Sequence, residues 1–245
     1  MINTRRLTLV AAAAVALTAS AYAADLNGTA GAVAESGLDV QRELSTTFYT
    51  QLAAADGKCH VDRIRKEWEA AGKPEVKGWH EDVSDEEAEA AYQCIKSKAE
   101  AAFSKSAEKG AGEYQSWKRY NFGAYISGTH GGRFVNNYAN ETGAAYGKFE
   151  EFGSMPVGSV LAKDSFGVNK RGEVMMGPLF TMVKMAAGFN ASSRDWQYVL
   201  ILPNGKTMGS TGGENAKKVD FCIKCHESVN ELDQMFFLPD EYRVQ

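Results

Sequence analysis

The chain has 245 residues, 31 acidic against 27 basic, a formal net charge of −4 and 44% hydrophobic residues. That length suits one large domain or two small ones, with enough apolar material to bury a core without depending on disulfides. The mildly acidic balance, with no basic stripe, argues against nucleic acid as a partner.

The N-terminus reads as a secretory signal. Arg5 and Arg6 form the charged start, residues 7–19 a short apolar core, and Ala21-Tyr22-Ala23 a small-x-small cleavage site. The predicted mature chain starts at Ala24 and is periplasmic or secreted. The apolar run is too short to span a membrane comfortably, and no later segment approaches that length, so no membrane span is expected after cleavage.

Residues 34–110 carry a helical pattern. Val40, Leu44, Phe48 and Leu52 recur every four residues, and Val61, Ile64, Trp68 and Ala71 continue the spacing. Gly72, Pro74 and Gly78 interrupt it as a loop. Ser84 is a predicted N-cap with Glu87 at the capping-box position. The alanine-rich helix that follows is expected to run to the breakers Gly110 and Gly112. The sequence therefore divides into a signal peptide (1–23), a helical N-terminal region (24–112) and a second region (113–245).

In that second region glycine and aromatic residues increase and the helical period fades. Residues 157–166, 179–185 and 196–202 have strand composition. Asn204-Gly205 is a hairpin signal before Lys206-Thr-Met. A helix is predicted over residues 215–229, followed by a short extended tail near Phe236-Phe237-Leu238-Pro239. The fold class is α+β: an antiparallel sheet preceded by an α-helical region.

Cys222-Ile-Lys-Cys225-His226 lies in that last helix. C-x-x-C-H is the pattern for covalent attachment of one c-type haem, with thioethers from Cys222 and Cys225 and the adjacent His226 on the iron. A thiol redox pair and half of a zinc site are the competing readings. No βαβ pattern precedes the motif, and His60, His80 and His130 are scattered far upstream. The other two cysteines, Cys59 and Cys94, are expected to pair as a disulfide in an oxidising compartment. Each lies in a helical pattern, so the bridge would staple two helices, and closing a loop of that length contributes about 3–4 kcal/mol in the chain-entropy model. Cys59-His60 as a single-cysteine haem site is the alternative.

Several segments in order carry a more specific resemblance. They are Arg133-Phe-Val-Asn-Asn-Tyr138, Met155-Pro-Val-Gly-Ser-Val-Leu-Ala-Lys163-Asp164-Ser-Phe166, Gly177-Pro-Leu-Phe180, Asp195-Trp196, Phe221-Cys-Ile-Lys-Cys-His226 and the stretch from Asp233 to Pro239. Over roughly residues 113–245 the chain resembles the cytochrome P460 family and its relatives, the β-sheet cytochromes c-prime. The resemblance implies an antiparallel sheet packed with helices around one haem c, with His226 as the proximal ligand. In cytochrome P460 proper a lysine is covalently linked to the macrocycle and the enzyme oxidises hydroxylamine. The c-prime relatives lack the link and bind nitric oxide or other diatomic gases. An electron-acceptor cytochrome would be the partner of an oxidising enzyme, and relatives are often homodimers.

Lys163 matches the linking lysine. Strand alternation sets Leu161 and Lys163 on one face, with Val160 and Ala162 on the other. The competing reading is a surface lysine paired with Asp164, which itself could serve as a general base. His130 and Arg133, in the loop Gly128-Thr-His-Gly-Gly-Arg133, could supply a proton or steady a bound nitrogen oxide. Alternatively the loop is simply solvated. Met175, Met176, Met182, Met185 and Met208 are core filler unless one places its thioether on the iron, as in an electron carrier.

Overall fold

A computed structural model describes residues 58–244 of the chain. The signal segment and the expected helix around residues 40–52 lie outside the described residues. Helix α1 (Asp62–Ala70) buries Ile64, and helix α2 (Asp85–Phe103) follows the loop. Both halves of the capping box form at the start of α2. The Glu87 amide donates to Ser84 Oγ at 3.3 Å and the Ser84 amide to Glu87 Oε2 at 3.1 Å, an arrangement of the kind that adds about 1 kcal/mol. The helix stops at Phe103, well before Gly110. At its last turn it meets the Asn204-Gly205 hairpin, where a Cβ on Gly205 would stand 2.5 Å from the Ala102 carbonyl oxygen. Glycine is needed there for this approach as well as for its φ of +83°.

Eight strands form one antiparallel sheet: β1 (Lys118–Arg119), β2 (Tyr125–Ser127), β3 (Arg133–Ala139), β4 (Val160–Val168), β5 (Val174–Met176), β6 (Leu179–Lys184), β7 (Trp196–Ile201) and β8 (Thr207–Ser210). The main order is β1-β3-β4-β6-β7-β8, with β2 also on β3 and β5 also on β4. The three predicted strands and the hairpin are present. β1, β2, β3 and β5 are additional. β1, β2 and β5 are two or three residues long, too short to show a period of two.

The sheet separates two cores. Behind it, Tyr92, Ile95 and Phe103 of α2 pack with Phe134, Phe166, Leu179 and Ile201. In front, Tyr125, Val135, Leu161, Trp196 and Tyr198 pack with Ile223, Met235 and Leu238 from the C-terminal segment. The back core runs continuously across residue 112, so α2 is one layer of a helix-on-sheet arrangement.

The predicted C-terminal helix is shorter than expected. Asn215, at φ +53°, precedes a 3-10 turn (Ala216–Val219). The α-helical part, α3, covers Asp220–His226, and a second 3-10 run (Glu227–Leu232) is broken at Val229.

Cys59 and Cys94 form the expected disulfide, which leaves no Cys59 thiol for a haem. Cys59 lies in an extended run before α1, not in a helix. The bridge therefore ties that run to α2 rather than stapling two helices. Replacing both cysteines by serine is expected to cost about 3 kcal/mol, read from urea unfolding of the oxidised wild type against the variant.

Candidate functional site

A cavity of about 410 Å³ opens on the front face of the sheet, a size in the range of cofactor and ligand sites. Its floor comes from β3, β4, β6 and β7, one wall from α3 and the tail after it, and another from the loop between β2 and β3. Cys222, Cys225 and His226 all line it. The two cysteines are three residues apart, so they share one side of α3. Both are free thiols, Cys222 partly buried and Cys225 exposed. Burial pushes the Cys222 thiol up to about 11. Among the described residues no group of three or more His, Cys, Asp and Glu could hold a metal ion, so the zinc reading finds no further ligands.

His226 is held in one orientation. Its Nδ1 lies 2.7 Å from the Gln234 carbonyl oxygen, which can only accept, so Nδ1 carries the proton and Nε2 keeps its lone pair, available to a ligand or metal. The ring meets Tyr198 and Phe236 edge-on at centroid distances of 5.0 and 5.1 Å. Burial pushes its pKa down to about 4, keeping the imidazole neutral, as a metal ligand must be.

The carbonyl that holds His226 sits in a strained turn. Asp233 and Gln234 have φ of +51° and +62°, a region that non-glycine residues seldom occupy. Side chains over-determine the turn. Asp233 accepts from Lys184 Nζ at 2.7 and 2.9 Å and from the Met155 amide at 3.0 Å. Trp196 Nε1 donates to the Asp233 carbonyl at 2.8 Å. Gln234 receives the Tyr198 hydroxyl and donates to Ser192 O and Asn230 Oδ1. Sequence reasoning assigned no role to this clamp, because its partners lie up to 78 residues away.

Lys163 enters the cavity from β4. Burial lowers its pKa to about 8. Asp164 does not pair with it. Alternation turns Asp164 to the back face, where Tyr92 and Tyr114 donate to Oδ2 at 3.0 and 3.1 Å and Asn136 Nδ2 to Oδ1 at 2.9 Å. The expectation of Asp164 as a general base at the site is thereby corrected: the sheet lies between it and the cavity.

His130 lines the cavity, with its ring edge-on to Phe180 at 4.9 Å and Nδ1 2.8 Å from Ser127 Oγ. Burial, with Lys163 and His226 nearby, pushes its pKa well below the usual value. It is a neutral hydrogen-bonding group there rather than a ready proton acceptor. Arg133 is also a correction, since it is not part of the cavity lining. It sits at the first position of β3 and folds away, donating to the His130 carbonyl at 3.1 Å and lying 5.8 Å from the Trp79 ring. Of the five candidate methionines Met182 lines the cavity, while Met175 is exposed and Met176 packs on the back core. Tyr125, Asn137 and Phe180 complete the floor around Lys163. Finding Asn137 needed the β3–β4 register, in which it stands opposite Lys163.

Apolar and aromatic walls, two free thiols one helical turn apart and an oriented neutral histidine fit a haem by their donor chemistry. The family model described as Cytochrome P460 matches residues 111–237. No curated protein matches the chain. Among the described residues no helix is long and apolar enough to cross a membrane.

Proposed function

The chain belongs to the cytochrome P460 family of haem cytochromes, and we propose that it is an exported mono-haem cytochrome c that oxidises hydroxylamine or a related small nitrogen oxide. Cys222 and Cys225 would hold the macrocycle as thioethers and His226 Nε2 would hold the iron. When bound, the haem supplies an iron that takes the substrate nitrogen and accepts its electrons. An acceptor cytochrome would then collect them.

The observation that carries this reading is Lys163. It shares one cavity with C-x-x-C-H, among the described residues no carboxylate is paired with it, and burial lowers its pKa to about 8, so that a fraction is the neutral amine near neutral pH. An amine so placed is suited to a second covalent link to the macrocycle. A lysine paired with Asp164 would have been charged and unreactive. Tyr125 and Phe180 line the same cavity, and burial there is the cause of the lowered pKa.

Mass analysis of tryptic haem peptides from the purified holoprotein tests this. The expected product carries haem on both the Cys222–Cys225 peptide and the Lys163 peptide, with a strongly shifted and broadened Soret band. Haem joined to the cysteine peptide alone, with no hydroxylamine turnover and ready nitric oxide binding, would replace the enzyme with a c-prime-like gas-binding protein. A near-infrared sulfur-to-iron band in the ferric state would instead point to Met182 on the iron and a plain electron carrier.

A further inference from the structure

Asn137 is buried, 3% exposed, in the middle of β3. It pairs directly with Lys163 across the β3–β4 ladder, and directly opposed residues project from the same face. Both therefore face the cavity they line. The Asn137 backbone amide donates to Asn121 Oδ1 at 2.7 Å, and its side-chain Nδ2 donates to Tyr125 Oη at 2.8 Å. These bonds occupy both amides and leave one atom over: Oδ1 is buried and has no hydrogen-bond partner among the described residues. A buried acceptor without a donor destabilises the fold, and native proteins retain few of them. Asn137 borders the cavity, so a small shift of its carboxamide is enough to present this acceptor to something that enters.

We infer that Asn137 Oδ1 is a specificity-determining contact that accepts a hydrogen bond from an N–H or O–H of the small ligand in this cavity. The inference rests on the nitrogen-oxide reading of the site and deepens it. An oxygen that can only accept gains nothing from nitric oxide, carbon monoxide or dioxygen, none of which carries a hydrogen. Hydroxylamine carries hydrogen on both its nitrogen and its oxygen. Asn137 would thus select hydrogen-bearing ligands over diatomic gases, independently of the iron's own preference. A site that offers a buried acceptor discriminates strongly, because the wrong ligand leaves that acceptor unpaired.

The test uses the holoprotein and two variants, Asn137→Leu and Asn137→Gln. Hydroxylamine binding to the ferric form, without electron acceptor, and carbon monoxide binding to the ferrous form are both read from the Soret band. Asn137→Leu is expected to weaken hydroxylamine about 10-fold, the loss of one hydrogen bond, and to leave carbon monoxide within about twofold. Asn137→Gln keeps a neutral carboxamide oxygen, adds no charge beside Lys163, and is expected to retain more of the hydroxylamine affinity than Asn137→Leu. If Asn137→Leu does not load haem, Asn137→Val, smaller and suited to a strand, carries the same comparison. Equal changes for both ligands, or none for either, would overturn the inference while leaving the nitrogen-oxide reading intact. A wild type that binds carbon monoxide but not hydroxylamine would remove that reading, and this inference with it.

Discussion

Asp233→Ala is expected to lower the stability of the holoprotein by about 3–5 kcal/mol, the usual cost of removing one partner from a buried ion pair. The carboxylate is 2% exposed and the Lys184 side chain 12%. Deleting the acid leaves the Lys184 ammonium without its main counter-charge and removes the acceptor for the Met155 amide. The second contact, from Arg194, adds little because that side chain is 49% exposed. The effect should not stay local. The next residue, Gln234, supplies the carbonyl that orients His226, and its left-handed backbone is held by the Asp233 contacts. Releasing the turn frees the imidazole to rotate, and loss of a partner of this kind typically costs about 10–100-fold in metal affinity or activity. Urea unfolding gives the first number; the ferric spin-state signal gives the second. Lys184→Met added to Asp233→Ala should recover part of the stability, because it removes the unpaired charge, but not the spectrum. A double variant no more stable than Asp233→Ala would show that the ion pair is not what holds the turn.

The residues that could be read from sequence are those whose signals are local. The capping box of α2 needs only Ser84 and Glu87, three residues apart, and it forms as written. The C-x-x-C-H motif places its own three groups by helical spacing. The alternation that set Lys163 toward the site also sets Asp164 away from it, so the same rule argued against pairing the two. What was not legible depends on partners far apart in the chain. Asn137 acquires meaning only once β3 is registered against β4. The Asp233–Gln234 clamp draws on Lys184, Trp196 and Tyr198 from two other strands. Arg133 misled because it closes the same loop as His130, which does line the cavity, while its own strand-end side chain folds over Trp79.

Glu89→Ala is expected to be the second severe substitution, also at about 3–5 kcal/mol near neutral pH, and its cost should depend on acidity. Glu89 is buried on α2 and accepts from both terminal guanidinium nitrogens of Arg119, at 2.7 and 2.5 Å, and from the Ala124 amide at 3.2 Å. This bidentate pair joins the helix to β1 and, through Asn136, to β3. Burial on its own would raise the Glu89 pKa, but the hydrogen bonds and charge of Arg119 outweigh it and the net shift is downward. A carboxyl depressed in the folded state contributes stability above its unfolded value, ordinarily 4.5, and loses it as pH falls through the lower folded value. The gap between wild type and Glu89→Ala should therefore be widest above about pH 5 and narrow on acidification. Asp164 behaves in the opposite sense. Burial raises it despite three donors, so its contribution is present at low pH and is lost as pH rises through its folded value. The isosteric Asp164→Asn should accordingly compare best with wild type at the alkaline end. Urea midpoints measured across pH 3–8 for the three proteins separate the two carboxyls. A Glu89→Ala deficit that stays constant over that range would mean that Glu89 acts by packing against α2 and β1, not by its charge.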